Sequence, residues 1–183
     1  GRSIEWEKRH ELGAVAPGDL IATRWGSIGI DVGQILPEIH HEIDSGKYLA
    51  VDVETTGLDH RRDRIAIITI ASFADFGQYL PDCVAIVLAP KCQRGWGLEN
   101  GHAYLKQTLN SKPVFFHRAE FDRRFLMADY FGPLEVFSCT RIASKVHRTY
   151  SSDHSLKECL RNVLGVEIDK SEQQHDWSHV FVS

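Results

Sequence analysis

The 183-residue chain has no Cys-x-x-Cys pair; its four cysteines, Cys83, Cys92, Cys139 and Cys159, stand at wide, irregular spacings. That excludes a zinc knuckle and a small disulfide scaffold, and the cysteines read as reduced thiols of a cytosolic protein. No stretch approaches the roughly 18 apolar residues of a membrane span. The first residues, Gly1-Arg2-Ser3-Ile4-Glu5-Trp6-Glu7-Lys8, have no apolar core of signal-peptide type. The expectation is a chain neither secreted nor inserted, and cytoplasmic. Positive charge is not in excess either: the net charge is −4, which excludes a protein that coats nucleic acid through bulk charge. Any nucleic-acid contact has to be local. Repeats and low-complexity tracts are missing, and glycine and proline are scattered as punctuation, so a single domain with a full core is the simplest organisation.

Periodicity supplies the elements. Residues 19–24 are compatible with a short strand and the rest of residues 1–33 reads as turns. Ile35, Ile39 and Ile43 recur every four residues, which predicts a short amphipathic helix over residues 34–44, ended by Ser45-Gly46 despite Pro37. Residues 48–54 and 64–72, rich in Val, Ile and Ala, predict two adjacent strands, and residues 83–88 a third. Helix and strand then alternate: 102–109 helical, 113–117 a buried strand, 120–130 helical, 136–138 a short strand. Strands followed by alternation imply a mixed sheet with helices packed on it. Ser155-Leu156-Lys157-Glu158 is a capping box, and Leu156, Cys159, Leu160, Val163 and Leu164 mark one helix face until Gly165.

Two carboxylates carry the chemistry of the predicted strand over residues 48–54. Asp52 and Glu54 are two apart, so both leave the same face, with Cα atoms roughly 6.5 Å apart at about 3.3 Å rise per residue. Other acidic-x-acidic triplets (Glu5/Glu7, Glu42/Asp44, Glu120/Asp122, Glu167/Asp169) show that the spacing alone is common. The surroundings are what differ: Leu49, Ala50, Val51 and Val53 make this strand apolar, where an unpaired charge costs several kcal/mol. A metal ion or a structural cation satisfies that demand. Two divalent cations about 3.5 to 4 Å apart are the arrangement that activates water and holds a leaving oxygen.

Val51-Asp52-Val53-Glu54-Thr55-Thr56-Gly57-Leu58 resembles the first exonuclease motif of the DEDD superfamily, and Phe116-His117-Arg118-Ala119-Glu120-Phe121-Asp122-Arg123-Arg124-Phe125-Leu126 the second. Cys139 to Lys145, His154-Ser155-Leu156-Lys157-Glu158, Asp169 to Gln173 and Asp176-Trp177 resemble ribonuclease D and nano-RNase C, over residues 47–177. The resemblance implies an α/β, RNase H-like mixed β-sheet flanked by helices (the DnaQ-like exonuclease fold), with residues 1–46 as an N-terminal extension and 47–183 as the exonuclease domain. It implies Mg²⁺ or Mn²⁺ in a two-metal site, hydrolysis of nucleotides from the 3′ ends of RNA or single-stranded DNA, and a homo-oligomer, since nano-RNase C-like proteins form rings. Asp52, Glu54 and Asp122 would be three of the four metal-binding, catalytic carboxylates. The family's fourth acid lies in a Tyr-x-x-x-Asp motif beyond the Asp-Trp pair. Here Ser178 to Ser183 follow Trp177, and Val180 stands five residues after His175, where the His-x-x-x-x-Asp variant needs an acid. The expectation is therefore a chain that stops before that carboxylate.

Around these acids, Thr55, Leu58, Phe121, Arg141, Lys145, His154 and Lys157 are candidate substrate contacts. Arg141 and Lys145, with His147 and Arg148, form a basic run that either holds phosphates or is a solvated helix face. Phe121 is spaced to Phe125 as a core stripe but has an aromatic face on which a base can stack. His117 is read as structural, His154 as structural or functional, and Asp176 as a helix cap rather than a substitute ligand. Two functions follow: a 3′–5′ exonuclease on short RNA or single-stranded DNA, or a nuclease-derived nucleic-acid-binding module, with a fragment of a longer exonuclease as a third account.

Overall fold

The computed structural model describes residues 3–5, 16–23, 26–90 and 100–168. Eight strands form one mixed sheet in the order β1-β2-β3-β6-β5-β4-β7-β8. They are β1 (Ser3–Glu5), β2 (Asp19–Thr23), β3 (Gly26–Val32), β4 (Tyr48–Thr55), β5 (Ile65–Phe73), β6 (Cys83–Leu88), β7 (Val114–Phe116) and β8 (Phe137–Cys139). The helices are α1 (His40–Ser45), preceded by a 3₁₀ turn at Pro37–Ile39, α2 (Asn100–Ser111), α3 (Ala119–Ala128), α4 (Thr140–His147) and α5 (Leu156–Leu164). This is the mixed α/β architecture expected from the pattern of strands followed by alternation.

Central β4 runs antiparallel to β5, with Asp52 opposite Thr69, and parallel to β7, with Ala50 opposite Phe115. Its alternation is strict where it matters: Leu49, Val51 and Val53 are buried, while Asp52 opens to solvent on the opposite face. The buried face continues through Ile68 and Ile70 of β5 and Ala85 and Val87 of β6, and it packs against Ile35, Leu36, Ile39 and Ile43 and against Leu105 and Leu109 of α2. Each such aliphatic side chain stabilises the fold by roughly 1.5–3 kcal/mol.

Among the elements that differ from the sequence reading are a helix and a strand. The helix expected from residue 34 begins only at Pro37, because a proline disfavours helical backbone at the residue before it; Leu36 has φ −55° and ψ 122°. The isoleucine spacing survives as burial of Ile35, Ile39 and Ile43. Residues 26–32, read as turns, are strand β3, which pairs in parallel with β6 from Ser27↔Cys83 to Val32↔Leu88. Glycines hid it: a Cβ on Gly29 would lie 2.9 Å from Ile39 Cδ1 and 3.0 Å from Leu36 Cβ, so glycine here lets the 3₁₀ turn approach the strand backbone.

The C-terminus of α1 is capped from a distance. Lys112 Nζ donates to the carbonyl of Ile43, to that of Asp44 at 2.8 Å and to that of Gly46 at 2.5 Å. A cation at the negative end of a helix is favourable, and this one ties α1 to the loop leading into β7. The capping box of α5 is half formed: Ser155 Oγ accepts from the Glu158 N–H at 3.3 Å, and Gly165 ends the helix at φ 67°. The Ser155 N–H donates to Asp153 Oδ1 rather than to Glu158. The apolar stripe of α5 is present, yet α5 buries no residue among those described.

Cys83, Cys139 and Cys159 are free thiols; Cys92 lies outside the described residues. Among the described residues no helix is long and apolar enough to cross a membrane.

Helix α2 meets the end of α3 through His102. Its ring lies 4.4 Å from that of Phe131, it hydrogen-bonds the backbone of Asp129, and Nε2 has no hydrogen-bond partner among the described residues. Burial, then the nearby Lys106, lowers its pKa. A histidine depressed in the fold contributes stability above its unfolded value and loses it as pH falls through the folded value, because the unfolded chain binds more protons there. Thermal melts should therefore weaken as pH drops below about 6.5, and His102→Asn, which can keep a donor toward Asp129 without a titrating ring, should flatten that decline. An unchanged slope would remove His102 as the cause.

Candidate active site

Helix α3 brings Asp122 onto strand β4. Its first turn follows β7 directly, with Arg118 at the N-cap. At the far end the buried Asp129 accepts the Ile65 N–H of β5 at 3.4 Å. Phe125 and Leu126 are buried between these two ties. Asp122 is 4% exposed and accepts the backbone N–H of Val53, the residue between Asp52 and Glu54.

Burial, and then the charge of Asp52, push the Asp122 carboxyl up to about 7. The Val53 and Asp122 N–H groups and Arg118 act in the opposite direction. Asp52 is reached by solvent, yet the protein around it removes enough water to raise its carboxyl as well. Seventy residues apart in sequence, Asp52 and Asp122 are thus brought close enough for the charge of Asp52 to disfavour ionisation of Asp122.

Among the described residues no group of three or more His, Cys, Asp or Glu could hold a metal ion. Glu54 shares the Asp52 face but stands at a register shift in the β4–β5 ladder between Glu54 and Thr55, where a bulge re-aims side chains. The donor set present fits a divalent cation held by two carboxylates, since Mg²⁺ is usually bound through one or two carboxylates with waters and substrate phosphates completing its shell. Asp176 and Trp177, and the C-terminal segment in which the fourth acid was sought, lie outside the described residues.

Beside the acids, on the outer side of the first turns of α3, is a cleft of about 410 Å³. Arg118, Glu120, Phe121, Arg124 and Phe125 of the α3 segment form one wall, Leu58 and His60 of the β4–β5 loop another, and Cys139, Arg141, Ile142 and Lys145 the third. Four of these residues are cationic and one acidic, and the acid is paired, Glu120 Oε1 lying 2.6 Å from Arg124. A chain with net charge −4 has here concentrated positive charge on one pocket.

Of the predicted substrate residues, Leu58, Phe121, Arg141 and Lys145 line this cleft. Leu58 is 85% exposed on a loop built by its own hydrogen bonds: the Thr56 N–H to Arg64 O at 3.0 Å, the Asp63 N–H to Asp59 O at 2.7 Å and the Asp59 N–H to Asp63 Oδ2 at 2.9 Å. Phe121 packs 5.0 Å from Phe125 and also lines the cleft. Thr55, His154 and Lys157 are not part of its lining. The Thr55 hydroxyl donates to Gly57 O at 2.6 Å, Lys157 is exposed on α5, and both ring nitrogens of the buried His154 face protein atoms. His117, read as structural, bridges Thr140 Oγ1 and the His154 carbonyl. The sequence reading missed Arg118, Arg124 and His60. The signal for Arg124 was there, since it follows Glu120 by four and Phe121 by three, and so shares their helix face.

A family model described as 3′–5′ exonuclease matches residues 29–182. The chain belongs to the 3′–5′ exonuclease family. The DNA polymerase I of Aquifex aeolicus (strain VF5) is 29% identical over 136 residues, 74% of this chain and 20% of that protein; the chain spans about a fifth of the length of that relative. The structure of Brucella melitensis NrnC bound to pGG matches at TM-score 0.67 and 28% identity, over 85% of this chain and 69% of that one. NrnC with bound Mg²⁺ matches at TM-score 0.64 with the same identity and coverage. Escherichia coli RNase D, at TM-score 0.56 and 17% identity over 76% of this chain and 34% of that one, shares the fold. The architecture is thus the RNase H-like fold of these nucleases, and hydrolytic nuclease activity is the activity of the family.

The charge on Asp122 makes a measurable prediction for the protein without divalent cations. An acid raised in the fold loses stability as pH rises from its unfolded value near about 4 to its folded value of about 7, because the native state binds more protons across that window. In EDTA, Asp122→Asn should melt higher than the parent at pH near 8 and no higher at pH near 4. A variant less stable at both would show that Asp122 is not held under repulsion.

Proposed function

We propose that the cleft removes nucleotides from the 3′ ends of short RNA or single-stranded DNA, with Asp52, Glu54 and Asp122 as metal-binding, catalytic carboxylates. The observation that carries the reading is the juxtaposition across the first turns of α3: a repelling carboxylate pair on its inner side and a cationic, aromatic-walled pocket on its outer side. Neither makes sense alone. The pair requires positive charge, and the pocket is suited to a polyanion with flat, apolar bases.

In the reaction, water adds to the phosphorus of the last phosphodiester and the bond to the preceding 3′ oxygen breaks. That oxygen takes a proton and a nucleoside 5′-monophosphate leaves. Divalent cations, Mg²⁺ or Mn²⁺, supply charge stabilisation for the attacking and leaving oxygens. Asp52 and Asp122 hold them, with Glu54 joining from the same face of β4. Arg141 and Lys145 draw the backbone phosphates into the pocket, while Leu58 and Phe121 meet the terminal bases, a sequence-tolerant contact worth about 1–3 kcal/mol per stacked base. That the NrnC structures carry pGG and Mg²⁺ supports the same ligand classes here.

A second reading, a binding module with little turnover, is favoured by one observation, the lack of a preformed three-donor group among the described residues. The two separate on a 5′-labelled single-stranded oligonucleotide incubated with Mn²⁺, Mg²⁺ or EDTA. The exonuclease reading expects one-nucleotide shortening from the 3′ end with either metal and none in EDTA. Asp52→Asn should cut the rate by on the order of 10²-fold or more at nearly unchanged affinity. The affinity itself should fall with salt, less steeply after Arg141→Ala and Lys145→Ala, by about one unit of log–log slope for each phosphate that is no longer neutralised. Tight binding with no shortening in either metal would select the module.

A further inference from the structure

Helix α4 carries Arg141 and Lys145 into the wall of the cleft but buries none of its residues. Apolar packing therefore does not set its position. Polar contacts do, one at each level of the helix. Thr140 Oγ1 lies 3.2 Å from the Phe116 carbonyl at the end of β7. Ser144 Oγ lies 2.9 Å from His154 Nδ1 at mid-helix. At the C-cap the buried Arg148 places Nη2 3.3 Å from Ser151 Oγ and 3.8 Å from the Glu158 carboxylate.

His154 is the junction of these contacts. The residue is 8% exposed, and its Nε2 lies 3.0 Å from the Ser151 carbonyl. A carbonyl only accepts, so Nε2 carries the hydrogen, and in that tautomer Nδ1 is the acceptor. The Ser144 hydroxyl must then donate to it, leaving its own oxygen to take the Cys159 thiol hydrogen at 3.3 Å. The His154 carbonyl in turn accepts from His117 Nε2 at 3.1 Å, just before α3. One buried imidazole thus fixes α4 relative to the segment that carries the other wall of the cleft.

We propose that His154 is a positioning residue for the exonuclease reaction: by holding Ser144 it orients α4, and with it Arg141 and Lys145, for the substrate phosphates. This rests on the reading that those two cations contact phosphate. The ring touches no substrate; it acts through the hydroxyl of Ser144, and only the Nδ1 side of the ring matters for affinity.

That asymmetry supplies the test. Dissociation constants for a short 5′-fluorescein single-stranded RNA are measured in EDTA by anisotropy, KM and kcat with Mn²⁺, and melting temperatures alongside. His154→Ala and Ser144→Ala should each raise Kd and KM about tenfold, with kcat within about twofold, as expected when one buried hydrogen bond no longer orients the helix. The double variant should match the singles, since both remove the same contact. His154→Asn, whose amide oxygen can take the Ser144 hydroxyl, should restore affinity; His154→Gln, which reaches only toward Ser151, should not. Equal behaviour of the Asn and Gln variants, or a fall in kcat at constant Kd, would overturn the proposal. If His154→Ala fails to fold, Ser144→Ala decides it in the same way. An Arg141→Ala/Lys145→Ala protein with unchanged Kd would sink the phosphate reading itself. A raised Kd there, with His154→Ala and Ser144→Ala unchanged, would leave that reading standing and end the positioning role.

Discussion

The hydrogen bond from the Val53 N–H to the Asp122 carboxylate is the contact on which the site depends. It is made between the strand that presents Asp52 and the helix that separates acids from pocket, and it draws a buried carboxylate toward another of the same sign. Two forces act on Asp122 at once. The backbone donor and Arg118 hold the charged form, while burial and Asp52 oppose it, and the second pair prevails. Most of the surrounding architecture serves to make that approach unavoidable. Val51 and Val53 anchor β4 in the core, Phe125 and Leu126 anchor α3, and Asp129 ties the end of α3 to β5. Under the proposed reading, a divalent ion would relieve that tension, because it turns the repulsion into attraction.

The two sides of the cleft are held by different physics. The acids stand on elements secured by apolar burial, which is strong and hard to displace. The cations stand on α4, secured by a few buried hydrogen bonds, and on the exposed face of α3. Groups that handle reacting atoms must keep their geometry to fractions of an ångström. Groups that collect phosphates work through long-range attraction and long, mobile side chains. Under the proposed reading, the division of the fold into an acidic edge set in the core and a polar-anchored basic helix matches that difference in demand.

Much of this is legible in the sequence where a signal is local. Alternation of Leu49, Val51 and Val53 places Asp52 and Glu54 on one face of a strand. The four-residue isoleucine spacing finds the packed face before α1, and Ser155 with Gly165 brackets α5. Strand β3 escapes such a reading because Gly26 and Gly29 carry no periodic signal, although glycine at position 29 is there to admit Ile39 and Leu36. The half-formed capping box of α5 shows the same limit, since Asp153 takes a donor that the motif assigns to Glu158.

By itself, then, the amino-acid order determined the strands and helices with strong periodicity, the face on which each carboxylate leaves its strand, and a resemblance to two exonuclease motifs. Only the tertiary structure decided that Asp122 comes within reach of the charge of Asp52, and that Arg118, Arg124, Arg141 and Lys145 share one cleft while His154 turns inward. The reason is physical. Side-chain direction along an element repeats every two or 3.6 residues and is written in local spacing, whereas charge repulsion, burial and hydrogen-bond partnership arise between residues brought together from distant parts of the chain.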